Sequence, residues 1–205
     1  AQLIGAEYQI IDLPNNGLEP SLFLRYRMIE IIREFKTDVI ITHRLNDYHP
    51  DHRYTSLLMQ DTSTAISNPN VCPLTPPLKQ NPLYMYMPDT FQRPYPFTPD
   101  VVFDIDDLIM TKLDMIHQHS SQLYEWMPYD SGIADQVPEG DAERKQWSLE
   151  KYLKRNKTLA DQYRDKLEEK YGQKKGAAVY YAEAFEFSEY GGTALREQFV
   201  EAFSF

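Results

Sequence analysis

The residues with the greatest capacity for chemistry stand side by side in positions 46–53: Asn46, Asp47, Tyr48, His49, Pro50, Asp51, His52 and Arg53. Two imidazoles and two carboxylates in eight positions can ligate a metal ion or move protons. Pro50 fixes its own φ and pushes His49 toward extended backbone, so His49 and His52 are held in a defined, non-helical relation. If a helix starts at this point, His52 lies near its positive dipole end, which favours the neutral imidazole that zinc requires. Asp51 is placed to accept a hydrogen bond from a histidine ring and set its tautomer. The plainer reading is that Asp51 caps a helix and the histidines decorate a polar turn. A catalytic zinc takes three protein ligands and keeps one position open, so this segment needs donors from elsewhere. His43 reads as a loop residue and His117 as an exposed helix residue, while His119 stays open.

The elements around this cluster read as alternating strands and helices. Val39, Ile40 and Ile41 run without interruption into Thr42, the pattern of an interior strand of a parallel sheet, buried on both faces. The histidines then fall beyond its carboxyl end, where open α/β sheets bind ligands. Upstream, Leu24, Met28, Ile31, Ile32 and Phe35 recur at helical spacing, with Arg25, Arg27, Glu30, Arg33 and Glu34 on the other face. Residues 1–5 read as a helix end closed by Gly5, residues 8–13 as a strand, and residues 52–66 as a helix. Nine of the fourteen prolines lie between Pro69 and Pro99. That density excludes regular helix and predicts a long ordered loop forming one wall of a cleft near His49, with a short strand over residues 83–87. Tyr84, Tyr86, Phe91, Tyr95 and Phe97 offer broad apolar faces for stacking, or else core packing. Strands are expected over residues 100–105 and 177–187, and helices over 106–122 and 193–205. A polar loop over 129–141 leads into a charged helical appendage over 142–171. The sum is an α/β, Rossmann-like layered fold in a single domain of residues 1–205, its mostly parallel sheet flanked by helices.

Composition narrows the partners. With 21 Lys+Arg against 31 Asp+Glu the net charge is −10, which repels nucleic acid and anionic membrane surfaces. The single cysteine, Cys72, permits neither an intrachain disulfide nor a thiolate-rich metal cluster, so any metal must use histidine and carboxylate. No apolar run of membrane-spanning length is present. The compartment stays open, leaning to the cytoplasm, and homo-oligomerisation is left undecided.

Taken in order, these stretches resemble the PIG-L/LmbE family of zinc-dependent de-N-acetylases that act on N-acetylglucosamine-type sugars. The resemblance runs through Leu3-Ile4-Gly5-Ala6, Asp38-Val39-Ile40-Ile41-Thr42 and His49-Pro50-Asp51-His52. It continues in Asp104-Ile105, Lys112, His119-Ser120-Ser121-Gln122 and Tyr181-Ala182-Glu183-Ala184-Phe185. It implies that His52 is a zinc ligand, that His49 is a general acid that steadies an oxyanion, and that Asp51 orients His49. It also implies a cofactor, zinc, and an amino-sugar substrate, for which Tyr84, Tyr86 and Tyr95 are binding candidates. The family's first motif, a histidine followed by proline and two aspartates, supplies two further zinc ligands and the general base. It is not in this sequence, so the resemblance predicts a chain truncated before Ala1 that binds zinc poorly by itself. The alternatives are a noncatalytic family member that binds carbohydrate or a partner, and, more distantly, a metal phosphoesterase.

Overall fold

In the computed structural model, which describes residues 1–203, the chain forms two compact units, one of residues 1–10 and 102–183, the other of residues 11–101 and 184–203. The second unit carries the histidine cluster. Its first helix, α1 (Leu22–Phe35), begins where the Ser21 hydroxyl accepts from the Leu24 amide at 3.2 Å. It ends at Lys36, whose left-handed backbone caps the last turn. Strand β1 (Val39–Thr42) follows, then helix α2 (Pro50–Thr62). Leu24, Ile29 and Ile32 of α1 share a core with Ile40, Leu58, Met59, Ile66 and Tyr84.

Periodicity misplaced two residues of α1. Phe35 is exposed and Arg33 is buried. The Arg33 guanidinium donates to the carbonyls of Ala65, Ile66, Asn68, Val71, Cys72 and Thr75, tying down the segment after α2. A fork of five N–H donors suits arginine to a cluster of carbonyls left without helical partners.

Strand β2 (Leu83–Tyr86) runs parallel to β1, with Ile40 opposite Tyr84, whereas β4 (Ala182–Gly191) pairs antiparallel to β2. With β3 (Val101–Asp104) the sheet order is β1-β2-β4-β3, so the sheet is mixed, not mostly parallel. Strand β1 stands at one end of this order, not in its interior. Ile40 faces the core, but Ile41 is 47% exposed, because an end strand lacks the cover that an interior parallel strand has. The strand expected over residues 8–13 is likewise not formed. Those residues are exposed, and no strand among the described residues pairs with them to satisfy their backbone groups.

The first unit opens with a short 3-10 turn, Gln2–Ile4, closed by Gly5 at φ 65°, as the sequence suggested. The helix expected over residues 106–122 is broken into a 3-10 turn, α3 (Ile109–His117) and a π-helical segment, Ser121–Trp126, before the one-turn α4 (Met127–Asp130). The charged stretch is three helices, α5 (Asp141–Tyr152), α6 (Lys154–Gln162) and α7 (Arg164–Tyr171). They part at Leu153 and Tyr163, whose ψ angles of −2° and 36° leave the helical range. Gly172 at φ 82° separates α7 from α8 (Gln173–Ala178). Ile105, Ile109, Leu113 and Leu153 form this unit's core. Helix α9 (Arg196–Ala202) ends the description, and the last two residues of the helix expected over 193–205 lie outside the described residues.

Candidate metal centre

The loop between β1 and α2 begins at His43, the residue after the strand, and ends at His49, the cap of the helix. His49 has extended backbone, and its Nδ1 accepts from the Asp51 amide at 3.2 Å, so the histidine is itself the N-cap and Pro50 occupies the first helical turn. With Nδ1 used as an acceptor, the proton of a neutral His49 sits on Nε2. The Asp51 carboxylate has a different task from the one its position suggested. It accepts from the amides of Asn16 at 2.8 Å and Leu18 at 3.2 Å, and its nearest oxygen stands 4.0 Å from His49 Nδ1.

Asp47 is the residue that ties the cluster together. One carboxylate oxygen accepts from the His49 amide at 2.9 Å and lies 3.0 Å from His52 Nδ1. The other lies 4.0 Å from His43 Nδ1. The rings of His43 and His52 are stacked, with centroids 4.1 Å apart and planes 2° from parallel. His49 is tilted against His52 at 4.7 Å. Burial first, and then the neighbouring His52, push the His43 imidazole below its usual pKa, with Asp47 opposing the shift. A neutral ring at pH 7 follows. Arg53 closes the loop by donating to the carbonyls of Asp47 and Tyr48 at 2.9 and 2.6 Å.

A cation would find suitable donors here. His43, Asp47 and His52 each offer one ligand atom, all within 4.8 Å of one another. His52 Nδ1 is shut off from solvent, and although Asp47 is close, no partner stands in line for a hydrogen bond. Imidazole and carboxylate are donors that zinc accepts. The sequence had set His43 aside and counted Asp47 in the cluster without giving it a role of its own. The available signal was their spacing, with His43 and Asp47 at the fixed end of a strand ten residues or fewer from His52.

The Pro-rich segment does lie beside this loop. Arg44, 2% exposed, donates to the Asp89 carboxylate at 2.8 Å and to the carbonyls of Phe91 at 3.4 Å and Tyr95 at 2.7 Å. Asn46 donates to the Arg93 carbonyl at 2.9 Å, and the Tyr48 and Phe91 rings approach to 6.2 Å. Tyr48, which is exposed, sets its ring beside His49 and His52 and has Phe91 against it. Tyr84 and Tyr86, offered by the sequence as sugar platforms, are core residues, 1% and 7% exposed. Their hydroxyls are consumed by Thr62 in one case and by Gln60 and Ser188 in the other. Tyr95 is half exposed and lies over the Arg44 guanidinium, 4.8 Å from its centre.

In the other unit, Lys112 pairs with Glu183, and His117 is held by Tyr124 and Asp141. His119 and Gln122 are exposed.

Three solved structures share the fold. An N,N'-diacetylchitobiose deacetylase from Pyrococcus horikoshii is 21% identical, with a TM-score of 0.62 over 91% of this chain and 59% of that one. GalB, the 4-carboxy-2-hydroxymuconate hydratase from Pseudomonas putida, is 16% identical, with a TM-score of 0.60 over 91% and 66%. A conserved protein from Thermus thermophilus is 18% identical, with a TM-score of 0.53 over 85% and 62%. The chain thus spans less than two thirds of the length of the structures that it matches, and at these identities the likeness is one of fold. Residues 1–62, which include the whole histidine loop, match the family model described as PIG-L, GlcNAc-PI de-N-acetylase. That match covers 62 of the 205 residues, so together with the shared fold it marks a similarity to the PIG-L family.

Proposed function

We propose that this chain carries part of the active site of a metal-dependent N-deacetylase that hydrolyses the acetamide of an N-acetylglucosamine-type sugar or conjugate. The supporting observation is the histidine loop: a His-Pro-Asp-His tetrad inside the stretch matched by the PIG-L model, with His49 and His52 brought to 4.7 Å at the carboxyl end of β1. The structural neighbour that deacetylates N,N'-diacetylchitobiose agrees with it.

In this reading His52 is a zinc ligand, and the ion, when bound, supplies Lewis-acid polarisation of the acyl oxygen. His49 donates a hydrogen bond from Nε2 to the developing oxyanion, while the departing amine would take the proton that water gives up to the carboxylate base. Its Nδ1 is engaged by the Asp51 amide, which fixes the ring for that task. Asp51 positions the segment of Asn16 and Leu18 against the start of α2 and acts on His49 through its own backbone. The carboxylate that accepts the proton of water belongs, by the family resemblance, to the His-Pro-Asp-Asp motif, which these 205 residues do not contain. Tyr48 and Phe91 supply the rim on which a sugar ring can rest.

The hydratase neighbour motivates a second reading, in which the same loop activates water for addition to an unsaturated acid. The test is amine release from N-acetylglucosamine conjugates, run with zinc on the full-length protein and on residues 1–205. Zinc-dependent amine release by the full-length protein, lost in His52→Ala, is the expected result. Hydration of an unsaturated dicarboxylate without amine release would replace the proposal with the second reading, and neither activity would leave a binding protein.

A further inference from the structure

We propose that Trp126 and Tyr129, flanked by Glu125 and Asp130, form a second carbohydrate-binding surface, one that takes a sugar carrying a free, cationic amine. All four residues belong to the unit of residues 1–10 and 102–183, and none is part of the histidine loop. The choice of an amino sugar rests on the deacetylase reading, whose product carries such an amine.

The two rings are exposed by the way their segment is anchored. The π-helical stretch Ser121–Trp126 turns two consecutive residues, Leu123 and Tyr124, into the protein. The Leu123 carbonyl accepts from the Tyr152 hydroxyl at 2.8 Å, and the Tyr124 hydroxyl is held by His117 at 2.7 Å and by Ser148 at 2.8 Å. Pro128 is buried in the following turn, α4. The outer face is thereby left to Trp126 and Tyr129, 56% and 73% exposed, with ring centroids 6.3 Å apart and planes 32° from parallel. A single exposed aromatic is ordinary. A neighbouring pair on a fixed backbone is different, because it presents one broad apolar surface that needs little further ordering when a ligand arrives.

The second observation is the charge beside the rings. Glu125 precedes Tyr129 by four residues and Trp126 precedes Asp130 by four, so each carboxylate stands about one turn from a ring on the same side of the segment. Both acids are exposed, and among the described residues neither is paired with a cation. An ammonium group gains here from the ring faces by cation–π attraction and from the carboxylates by charge. The C–H face of a pyranose supplies the apolar contact. A neutral sugar keeps only that contact, and a phosphorylated ligand is repelled, an effect that the net charge of −10 reinforces. An apolar protein partner would have to strip water from two unpaired carboxylates, which disfavours it.

The experiment measures binding to residues 1–205 by isothermal titration calorimetry at pH 6. The titrants are the β-1,4-linked tetrasaccharide of glucosamine and its fully N-acetylated counterpart. The glucosamine tetramer should bind more tightly by about 5-fold, the size of a cation–π contact at an exposed site. Trp126→Ala should weaken it by about 5-fold or more. The Glu125→Gln, Asp130→Asn double variant should reduce the preference between the two sugars to that of the rings alone, about 2-fold. Tyr48→Ala, which removes the exposed ring of the histidine loop, should bind as the parent does. Circular dichroism confirms that each variant is folded, and sedimentation velocity reads its association state. The proposal is overturned by a parent that binds neither sugar at millimolar concentration or binds both equally. Binding that survives in folded Trp126→Ala but is lost in Tyr48→Ala overturns it too. So does a Trp126→Ala variant with parental sugar affinity and an altered association state, which would make this face a contact between copies of the chain. Trp126-dependent binding of the glucosamine tetramer, with no amine release from N-acetylglucosamine conjugates by the full-length protein, would refute the deacetylase reading alone.

Discussion

At the residue scale, His49 does two jobs that mutagenesis can separate. Its Nδ1 caps α2, and its Nε2 is the proposed hydrogen-bond donor to the oxyanion. Replacement by alanine should lower deacetylation by the full-length protein on the order of 10²-fold or more, the range for losing a positioned acid or oxyanion donor. It should also cost about 1 kcal/mol of stability through the lost cap. His49→Ser restores a capping oxygen without a proton donor of the same kind. Its urea midpoint should recover toward the parent while kcat stays low. A serine variant with near-parental kcat would remove His49 from the chemistry. Asp51 illustrates the opposite lesson, that a carboxylate within a motif can act through the backbone it anchors.

The Pro-rich segment and the histidine loop are joined, at the scale of elements, by Arg44. Its guanidinium holds Asp89 and two carbonyls and lies against Tyr95 and Phe97. Arg44→Ala strands the Asp89 carboxylate, which is only 11% exposed, and should destabilise the protein by about 3–5 kcal/mol, the usual cost of breaking a buried pair. Arg44→Lys keeps the charge but loses the fork, and should fall between. Urea unfolding measures the cost, and limited proteolysis between Met87 and Pro99 should quicken in step with it. Unchanged proteolysis in a destabilised Arg44→Ala would show that this segment is held by other contacts. The hydrophobic pattern could not indicate Arg44 or Arg33. Both sit where periodicity expects a polar surface, and both are buried because carbonyls or carboxylates from distant segments converge on them.

For the whole molecule, burial of tyrosines sets an alkaline limit. Withdrawal from water pushes the Tyr84 and Tyr86 phenols above their usual value of 10.0, with hydrogen bonds from Thr62, Ser188 and Gln60 opposing the shift in part. A raised folded pKa means that their contribution is fully present below pH 10 and is lost as pH rises beyond it, since the unfolded chain releases these protons first. Stability to urea should therefore fall as pH rises from about 10 upward. The Tyr84→Phe, Tyr86→Phe double variant should lose less over that range, and an equal loss would assign the effect elsewhere. Sequence by itself determined the chemistry on offer: the His-Pro-Asp-His tetrad, its place between a strand and a helix, the α/β class and a single cysteine, too few for a thiolate-rich cluster. These are local, because a proline, a helix start and an apolar run act over a few residues. Tertiary structure decided which groups meet. It stacked His43 on His52 beside Asp47, sent Tyr84 and Tyr86 into the core and left Tyr48 beside the histidines with Phe91 against it. It also placed β1 at the end of a mixed sheet with Ile41 exposed. Those outcomes depend on loop closure and on strand order, and neither is encoded in the spacing of residues along one segment.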